Sequence, residues 1–398
     1  MNETGGPMQG IKVLDIGTML SAPLAAGVLA DQGAEVVKIE VPGIGDLMRY
    51  VGATCKGVGS LFQGVNRGKR CLALDLKKPE ALEIVKRIAS EADVVTQNFR
   101  PGVAEKLGID YQALSALNPD LIYLSVTGFG HEGPMSDRPA YDAVVQSFSG
   151  VPMSQADLET GEPRNYHQIF ADKISASYAS QAVTAALFAR ERGAGGQHIR
   201  IAMVDAVAAF MWPDVGGVAT FKSGEATVGI EPAKGVPLIK FRNGYAQVSP
   251  LNDTHFHAWA SVFGINTSDP RVATLMDRAA NADYMAELTQ QLMANALDMD
   301  VDDAIARMEA ADVPCAKLLN VGELPSHPQM MANGLFVESE HPLAGTIVEP
   351  KHPANFSATP SGCGFASGSV GQHNDEVLAE LGYSRENIAA LKEAGVFG

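Results

Sequence analysis

The stretch GIKVLDIGTMLSAPLAAGVLADQGAEVVKIE, Gly10–Glu40, decides the fold. Ile11–Gly17 is short, apolar and closed by glycine, which predicts a buried strand. APLAAGVLADQG then predicts a helix with Gly33 just past its end. AEVVKIE predicts a second strand. Strand, helix and strand make a βαβ unit, the usual opening of a doubly wound parallel sheet. The pattern repeats downstream. CLALDL predicts a strand and KPEALEIVKRIASEA a helix, with Pro79 suited to its first turn. DVVTQNF predicts a strand, AEKLGIDYQALSALNP is helical, and LIYLSVTGFG predicts another strand. A sheet of at least five strands is therefore expected by about Gly130. Glu40 at the end of the second strand invites a dinucleotide reading. The turn GTMLSAPLAAG lacks the GxGxxG spacing and speaks against it.

Bulk composition narrows the classes. A chain of 398 residues accommodates two domains. With 46% hydrophobic and 19% charged residues it can bury a sizeable core. A net charge of −16 argues against nucleic acid as a partner, although a local basic pocket for a small phosphorylated ligand stays open. Cys55, Cys71, Cys315 and Cys363 are far apart without CxxC spacing, so no metal site is expected. The N-terminal MNETGGPMQGIKVLDIG has no basic segment followed by an apolar one, and no apolar run reaches membrane-spanning length. A cytoplasmic protein without a membrane partner is expected.

The second half changes texture. A long helix is expected over 173–192, stopped by ERGAGGQ, and HIRIAMVDAVAAFM reads as a strand running into a helix. Pro and Gly become frequent over 213–240, which reads as a linker. GYAQVSP opens a smaller α+β unit with helices in DTHFHAWASVFG, NADYMAELTQQLMAN and DVDDAIARMEAADVP. A Pro/Gly-rich return follows over 340–365, then the polar helices NDEVLAELG and SRENIAALKEAG. The domain plan is a large α/β domain (1–212), a linker (213–240), a small domain (241–330), and a return that completes the large domain (331–398).

Asp172, in NYHQIFADKISASYAS (Asn165–Ser180), stands before a helix whose expected stripe is small: Ile174, Tyr178, Ala182, Ala185 or Ala186, and Ala189. It reads as a helix N-cap or as a nucleophile. The two roles are compatible, because a helix N-terminus favours an anion. VTQNFRPGVAEKLG places Asn98, Phe99 and Arg100 at the carboxyl end of a strand, with Lys106 beyond. In an open sheet that end is where ligands sit. Phe99 suits stacking on a base and Arg100 or Lys106 a phosphate. An ordinary turn with a solvated basic face is the competing reading. Arg67, Lys69, Arg70 and Lys77 form a dense basic run, read by default as solvated surface. His131 and His167 are candidate acid–base groups. His255 and His257 lack ligand spacing, and no GxSxG or Cys/His pair supports another nucleophile.

The chain then shows a resemblance over nearly its whole length. GIKVLDIG…SAPLAAGVLADQGAEVVKIEVPGIGD, NRGKRCLALDLKKPE, ADVVTQNFRPGVAEKLGIDYQAL, NPDLIYLSVTGFGHEGP, AYD, GGQHIRIAMVDA, ADVPCAKLLNVGEL and GQHNDEVLAELGY occur in the order seen in family III CoA-transferases. That group includes formyl-CoA:oxalate and carnitine CoA-transferases. The resemblance implies a Rossmann-like large domain, a small domain and an interlocked homodimer. It implies acyl-CoA and a small carboxylic acid as substrates, with no permanently bound cofactor. Asp172 falls at the position of the family's nucleophilic aspartate. By the same resemblance Leu20 and Ser21 would lie near the pantetheine arm, and Leu74, Asp75 and Lys77 would line the CoA site. Asn98, Phe99, Arg100 and Lys106 would contact CoA, and Tyr141 and Asp142 would flank the thioester.

Three departures stand out. No Gly run in the small domain matches the mobile tetraglycine loop of formyl-CoA transferases; VPLIKFRNG occupies that neighbourhood. Val41 replaces a frequent Arg after the second strand. The related α-methylacyl-CoA racemases carry a GHD-like sequence where this chain has Ala140, Tyr141 and Asp142, and Tyr is a poor base near neutrality. A racemase-like isomerase and an inactive CoA-binding homologue remain the alternatives.

Overall fold

The computed structural model describes residues 5–157, 159–227, 237–250 and 252–397; part of the expected linker, 228–236, lies outside them. Two compact units appear: Met1–Val215 with Pro328–Gly398, and Gly216–His327.

The first unit is built on a parallel sheet. The opening βαβ is β1 (Lys12–Asp15), α1 (Ser21–Asp31) and β2 (Glu35–Glu40). Next come β3 (Lys69–Ala73), α2 (Pro79–Glu91), β4 (Val94–Gln97) and β5 (Ile122–Thr127). Then follow α3 (Asp142–Phe148), α4 (Ala171–Ala189), β6 (Gln197–Ala202) and α5 (Met203–Val215). The strand order is β3-β2-β1-β4-β5-β6, all pairs parallel. Five of these strands precede Gly130, as the sequence predicts.

Side chains alternate across the pleat. Val13, Val36, Val94, Ile122 and Leu124 pack against α1, α4 and α5 on one face. Leu14, Val37, Leu72, Val95 and Tyr123 pack against α2 and the C-terminal helices on the other. Both faces being covered explains why the strands read as continuous apolar runs.

Three expectations are corrected. AEKLGIDYQALSALNP forms two short helices, Val103–Leu107 and Tyr111–Ser115, because Gly108 turns left-handed (φ 66°) between them. The Pro/Gly-rich return contains an antiparallel hairpin, Phe336–His341 paired with Gly345–Pro350. The buried face of α4 is Ser175, Ala176, Ala179, Val183 and Ala186; Tyr178 points outward at 39% exposure.

The second unit pairs Cys315–Lys317, Gly244–Val248 and Ile239–Phe241 in a three-stranded antiparallel sheet. Its core gathers Phe241, Phe256, Trp259, Phe263, Leu292 and Met308. Among the described residues, no helix is long and apolar enough to cross a membrane.

Candidate active site

The strand order reverses between β1 and β4. In a doubly wound sheet the crevice beyond the carboxyl ends at that point is where ligands bind. Two loops meet there: Ile16–Leu20 after β1 and Asn98–Gly102 after β4. They are tied by a reciprocal pair, Thr18 N–H to Asn98 Oδ1 (2.9 Å) and Asn98 Nδ2 to the Thr18 carbonyl (2.8 Å). The same Nδ2 also donates to Ser21 Oγ at 3.0 Å.

Asp172 enters this crevice from α4. Alanines make the approach close: Ala22, Ala25 and Ala26 of α1 and Ala176 and Ala179 of α4 share one core. Asp172 occupies the first turn of α4, while Phe170 holds the N-cap position, so the N-cap reading is corrected. Its own N–H is taken by Asp142 Oδ1 at 3.0 Å, so a carboxylate from α3 caps α4 from outside. Gln146, which donates to the Gln168 carbonyl at 2.9 Å, also donates to the other Asp142 oxygen.

The Asp172 carboxyl lies beside the hydroxyl and the backbone N–H of Ser21 at the start of α1, and both favour its charged form. That N–H is one of the donors a helix leaves unpaired in its first turn. The carboxylate thus faces two helix N-termini, its own and that of α1. Burial, followed by repulsion from Asp142, pushes it up to about 6; the Ser21 donors act against that rise. It is ionised at neutral pH and more basic than an ordinary carboxylate. An ionised, positioned carboxylate is a nucleophile.

Beneath the β1 loop lies a cluster of charges with no solvent access. Lys69 Nζ meets Asp15 at 2.9 Å and also donates to the Pro23 carbonyl (2.6 Å) and Asn66 Oδ1 (2.9 Å). Lys38 Nζ donates to the Gly17 carbonyl (3.0 Å) and pairs with Asp46 at 3.1 Å and Asp15 at 3.8 Å. Asp46 accepts from the N–H of Met19, a non-glycine residue held at φ 61°. Left-handed backbone at such a residue costs free energy, and the Asp46 bond offsets it. Two cations beside Asp15 hold its carboxyl below the usual range against the opposing effect of burial. The default of a solvated basic run is corrected: Lys69 is fully buried, and Arg67 is clamped on Asp31 through two bonds of 2.9 and 2.6 Å. Arg70 pairs with Glu376 and Glu380, leaving Lys77 exposed.

The other expected residues divide. Phe99 is half-buried, its N–H bonded to Gln97 Oε1 at 2.6 Å; Arg100 and Lys106 are exposed. Leu20 is buried with Met48, Phe62 and Val65, and Leu74 lies in the core on the α2 side of the sheet. Asp75 accepts from Lys77 N–H at 3.1 Å. Tyr141 caps α3 and is 69% exposed. Val41 is exposed, and nearby Arg49 is spent on Glu40 in a two-bond clamp (2.7 and 2.6 Å) over the Phe62 ring. His167 is exposed. His131 lines a cavity of about 30 Å³ with Arg100, His198 and Arg200, its ring 6.1 Å from that of His198. Burial and Arg200 lower His131 and push His198 down to about 4, so both imidazoles are neutral at pH 7. Hydrogen bonds join Asn98 to Ser21 and Asp142 to Asp172, and Ser21 lies beside the Asp172 carboxyl. Sequence alone carried no sign that Asn98 braces Ser21, since the pair is 77 positions apart.

The family model for CoA-transferase family III matches residues 8–374. A succinate–glutarate CoA-transferase of Agrobacterium fabrum is 33% identical, the match covering 94% of this chain and 96% of the relative. An acetyl-CoA:oxalate CoA-transferase of Acetobacter aceti is also 33% identical, over 88% of this chain and 90% of that one. A solved CAIB/BAIF family protein from Brucella suis superposes with a TM-score of 0.83 at 30% identity, covering 94% of this chain and 99% of that one. With a family match over most of its length and relatives of that name at this identity, the chain belongs to family III and is a CoA-transferase.

Proposed function

We propose that the protein moves CoA from an acyl-CoA to a free carboxylic acid through covalent intermediates on Asp172. The observation that carries this reading is the Asp172 carboxyl beside Ser21 at the switch-point crevice, on a helix start fixed by Asp142. An Asp172 oxygen attacks the thioester carbonyl; the C–S bond breaks and CoA leaves as thiolate, giving a mixed anhydride. The thiolate attacks the aspartyl carbonyl, releases the donor acid and forms an aspartyl-CoA thioester. The acceptor carboxylate displaces the thiolate again, forming a second anhydride. Attack of thiolate on its acyl carbonyl yields the new acyl-CoA and restores Asp172. Each displacement exchanges one bond for another without a net proton, so no separate base is required.

In this reading CoA lies along Phe99, Arg100, Lys106, Asp75 and Lys77, at the carboxyl ends of β4 and β3, and its pantetheine arm reaches Leu20 and Ser21. Leu74 contributes through backbone, because its side chain is in the core. Tyr141 and Asp142 flank the thioester. The relatives named for glutarate and oxalate support a small dicarboxylic acid as one substrate. The large unit is read as a Rossmann-like CoA domain and the second unit as its small-domain partner. A homodimer is supported by Tyr178, Phe188, Phe210 and Trp212 on the packed pair α4 and α5, all 39–64% exposed. Four unpaired cysteines suit a cytoplasmic setting.

The test is covalent capture. The protein is incubated with succinyl-CoA or acetyl-CoA, trapped with hydroxylamine or borohydride, digested and mapped by mass spectrometry. Modification confined to the Asp172 peptide is expected. Exchange of deuterium at the substrate α-carbon without that modification would point to an isomerase and overturn the transferase mechanism. CoA binding with neither signal would mark an inactive homologue.

A further inference from the structure

We propose that Gln146 is a positioning residue for the nucleophile: its side-chain amide holds Asp142 and the chain entering α4, and so fixes the helix start from which Asp172 projects. The proposal rests on Asp172 being that nucleophile.

A side-chain amide nitrogen carries two hydrogens. Gln146 Nε2 spends both on the approach to α4. One goes to Asp142 Oδ2, one helical turn earlier on α3. The other goes to the Gln168 carbonyl at 2.9 Å, two residues before Phe170 at the N-cap position. Asp142 passes the restraint on, because its Oδ1 accepts the Asp172 N–H at 3.0 Å. That N–H belongs to the first turn of α4 and has no partner within the helix. Gln146 is 4% exposed, so water does not replace its bonds.

One side chain of α3 therefore holds the chain on both sides of the helix entry. The support is itself anchored: Val145, next to Gln146, packs into the core with Ala171 and Ala176 of α4. Both oxygens of Asp142 have a fixed partner, Asp172 N–H on one and Gln146 on the other. Without the amide, the Asp142 carboxylate would be free to rotate, and the Asp172 N–H would lose its acceptor. The placement matters twice, since the charge on Asp142 also opposes ionisation of Asp172. A shift at the start of α4 moves the Asp172 carboxylate against the thioester carbonyl, and attack is steep in that distance.

The test compares wild type with Gln146→Met and Ser147→Ala. Gln146→Met nearly keeps the volume and removes both donors; Ser147→Ala loses only a bond to the Ala143 carbonyl on the same helix. Steady-state rates are taken with succinyl-CoA or acetyl-CoA as donor and oxalate or glutarate as acceptor. Hydroxylamine capture at Asp172 is timed over a single turnover. Gln146→Met should lower kcat and the capture rate by roughly 10- to 100-fold and leave the KM for acyl-CoA in place, the split expected when an interaction serves the reacting geometry alone. Ser147→Ala should match wild type. Thermal midpoints show which variants are folded. Gln146→Glu, which keeps the shape and has no donor when ionised, takes the place of a methionine variant that does not fold. If Asp172 is captured in wild type and the folded variant keeps wild-type kcat, Gln146 is overturned while the nucleophile stands. A KM that rises as far as kcat falls would also overturn it, since the whole site is then disturbed. If neither variant folds, the amide serves the fold rather than the site, and the proposal falls. If wild type turns over substrate without modification at Asp172, the underlying mechanism fails, and this proposal with it.

Discussion

The two units use the same ionic residues in opposite ways. Under the β1 loop, Lys38, Lys69, Asp15 and Asp46 have side-chain exposures of 0–2%. In the second unit, Lys317 and Asp302 pair at 2.8 Å with 37% and 65% exposure, and Arg271 and Asp269 at 2.7 Å with 51% and 29%. Pairs in water contribute little because solvent screens them. Buried pairs are expensive to desolvate, and apolar residues of similar volume often serve stability as well. Something other than stability must then account for four buried charges under one loop. The loop is the answer the geometry offers. Each charge ends on backbone or side chain that fixes Gly17, Met19 or the start of α1, and α1 presents Ser21 to Asp172.

Breaking the buried cluster gives the largest expected effect. Lys38→Met leaves Asp15 and Asp46 without a shared cation and should cost about 3–5 kcal/mol in denaturant unfolding. Replacing both partners, Lys38→Met with Asp46→Leu, should recover much of that loss. Its kcat should nevertheless fall by about 10²-fold, because the Met19 N–H loses its partner and the loop shifts. A double variant that is stable and fully active would show that the cluster does not serve the site.

That cluster marks where the sequence stopped being legible. Gly10–Glu40 announced its βαβ unit because apolar runs and Gly33 are local signals, and the same holds for the strands that follow. Burial of a lysine is not local. Lys69 finds Asp15 across 54 positions, and Arg67 finds Asp31 across 36, so NRGKRC looked like surface. The hairpin at Phe336–Pro350 left little trace: neither FVESEH nor GTIVEP alternates apolar with polar residues about the PLA that joins them. For the site, chain order pointed to Asp172, but its cap comes from Asp142, 30 positions away, and no spacing rule reaches that far. Asn98 was assigned to the ligand from its place at a strand end. Its amide also holds the β1 loop, a role visible only once β1 and β4 lie side by side.

Asp172 sharpens the contrast, being an enclosed charge with a like charge for a neighbour. Its carboxyl is raised from 3.8 to about 6 in the folded protein. Well below pH 3.8 it is neutral folded and unfolded alike, and contributes nothing. Between those values ionisation favours the unfolded chain, so the penalty grows as pH rises and is complete above about pH 6. Two units correspond to about 3 kcal/mol, and partial solvent access reduces this to about 1–2 kcal/mol. Asp172→Asn should therefore raise the thermal midpoint by a few degrees at pH 8 and leave it nearly unchanged at pH 4, while abolishing transfer. A pH-independent difference would mean that the carboxylate is not strained by its surroundings.

The smallest effect belongs to the second unit. Lys317 Nζ donates to both Asp302 carboxylate oxygens, at 2.8 and 2.9 Å, yet both side chains stand in water. Each loses rotamer freedom in holding the pair, and salt screens what is gained. Lys317→Ala should shift the thermal midpoint by about 1 °C or less, and that difference should vanish in 0.5 M salt, where the Debye length falls to about 4 Å from about 30 Å in dilute buffer. Lys38→Met should show no such rescue or masking by salt, since ions do not reach its partners. A salt-insensitive loss at Lys317 as large as that at Lys38 would erase the distinction between the two regions.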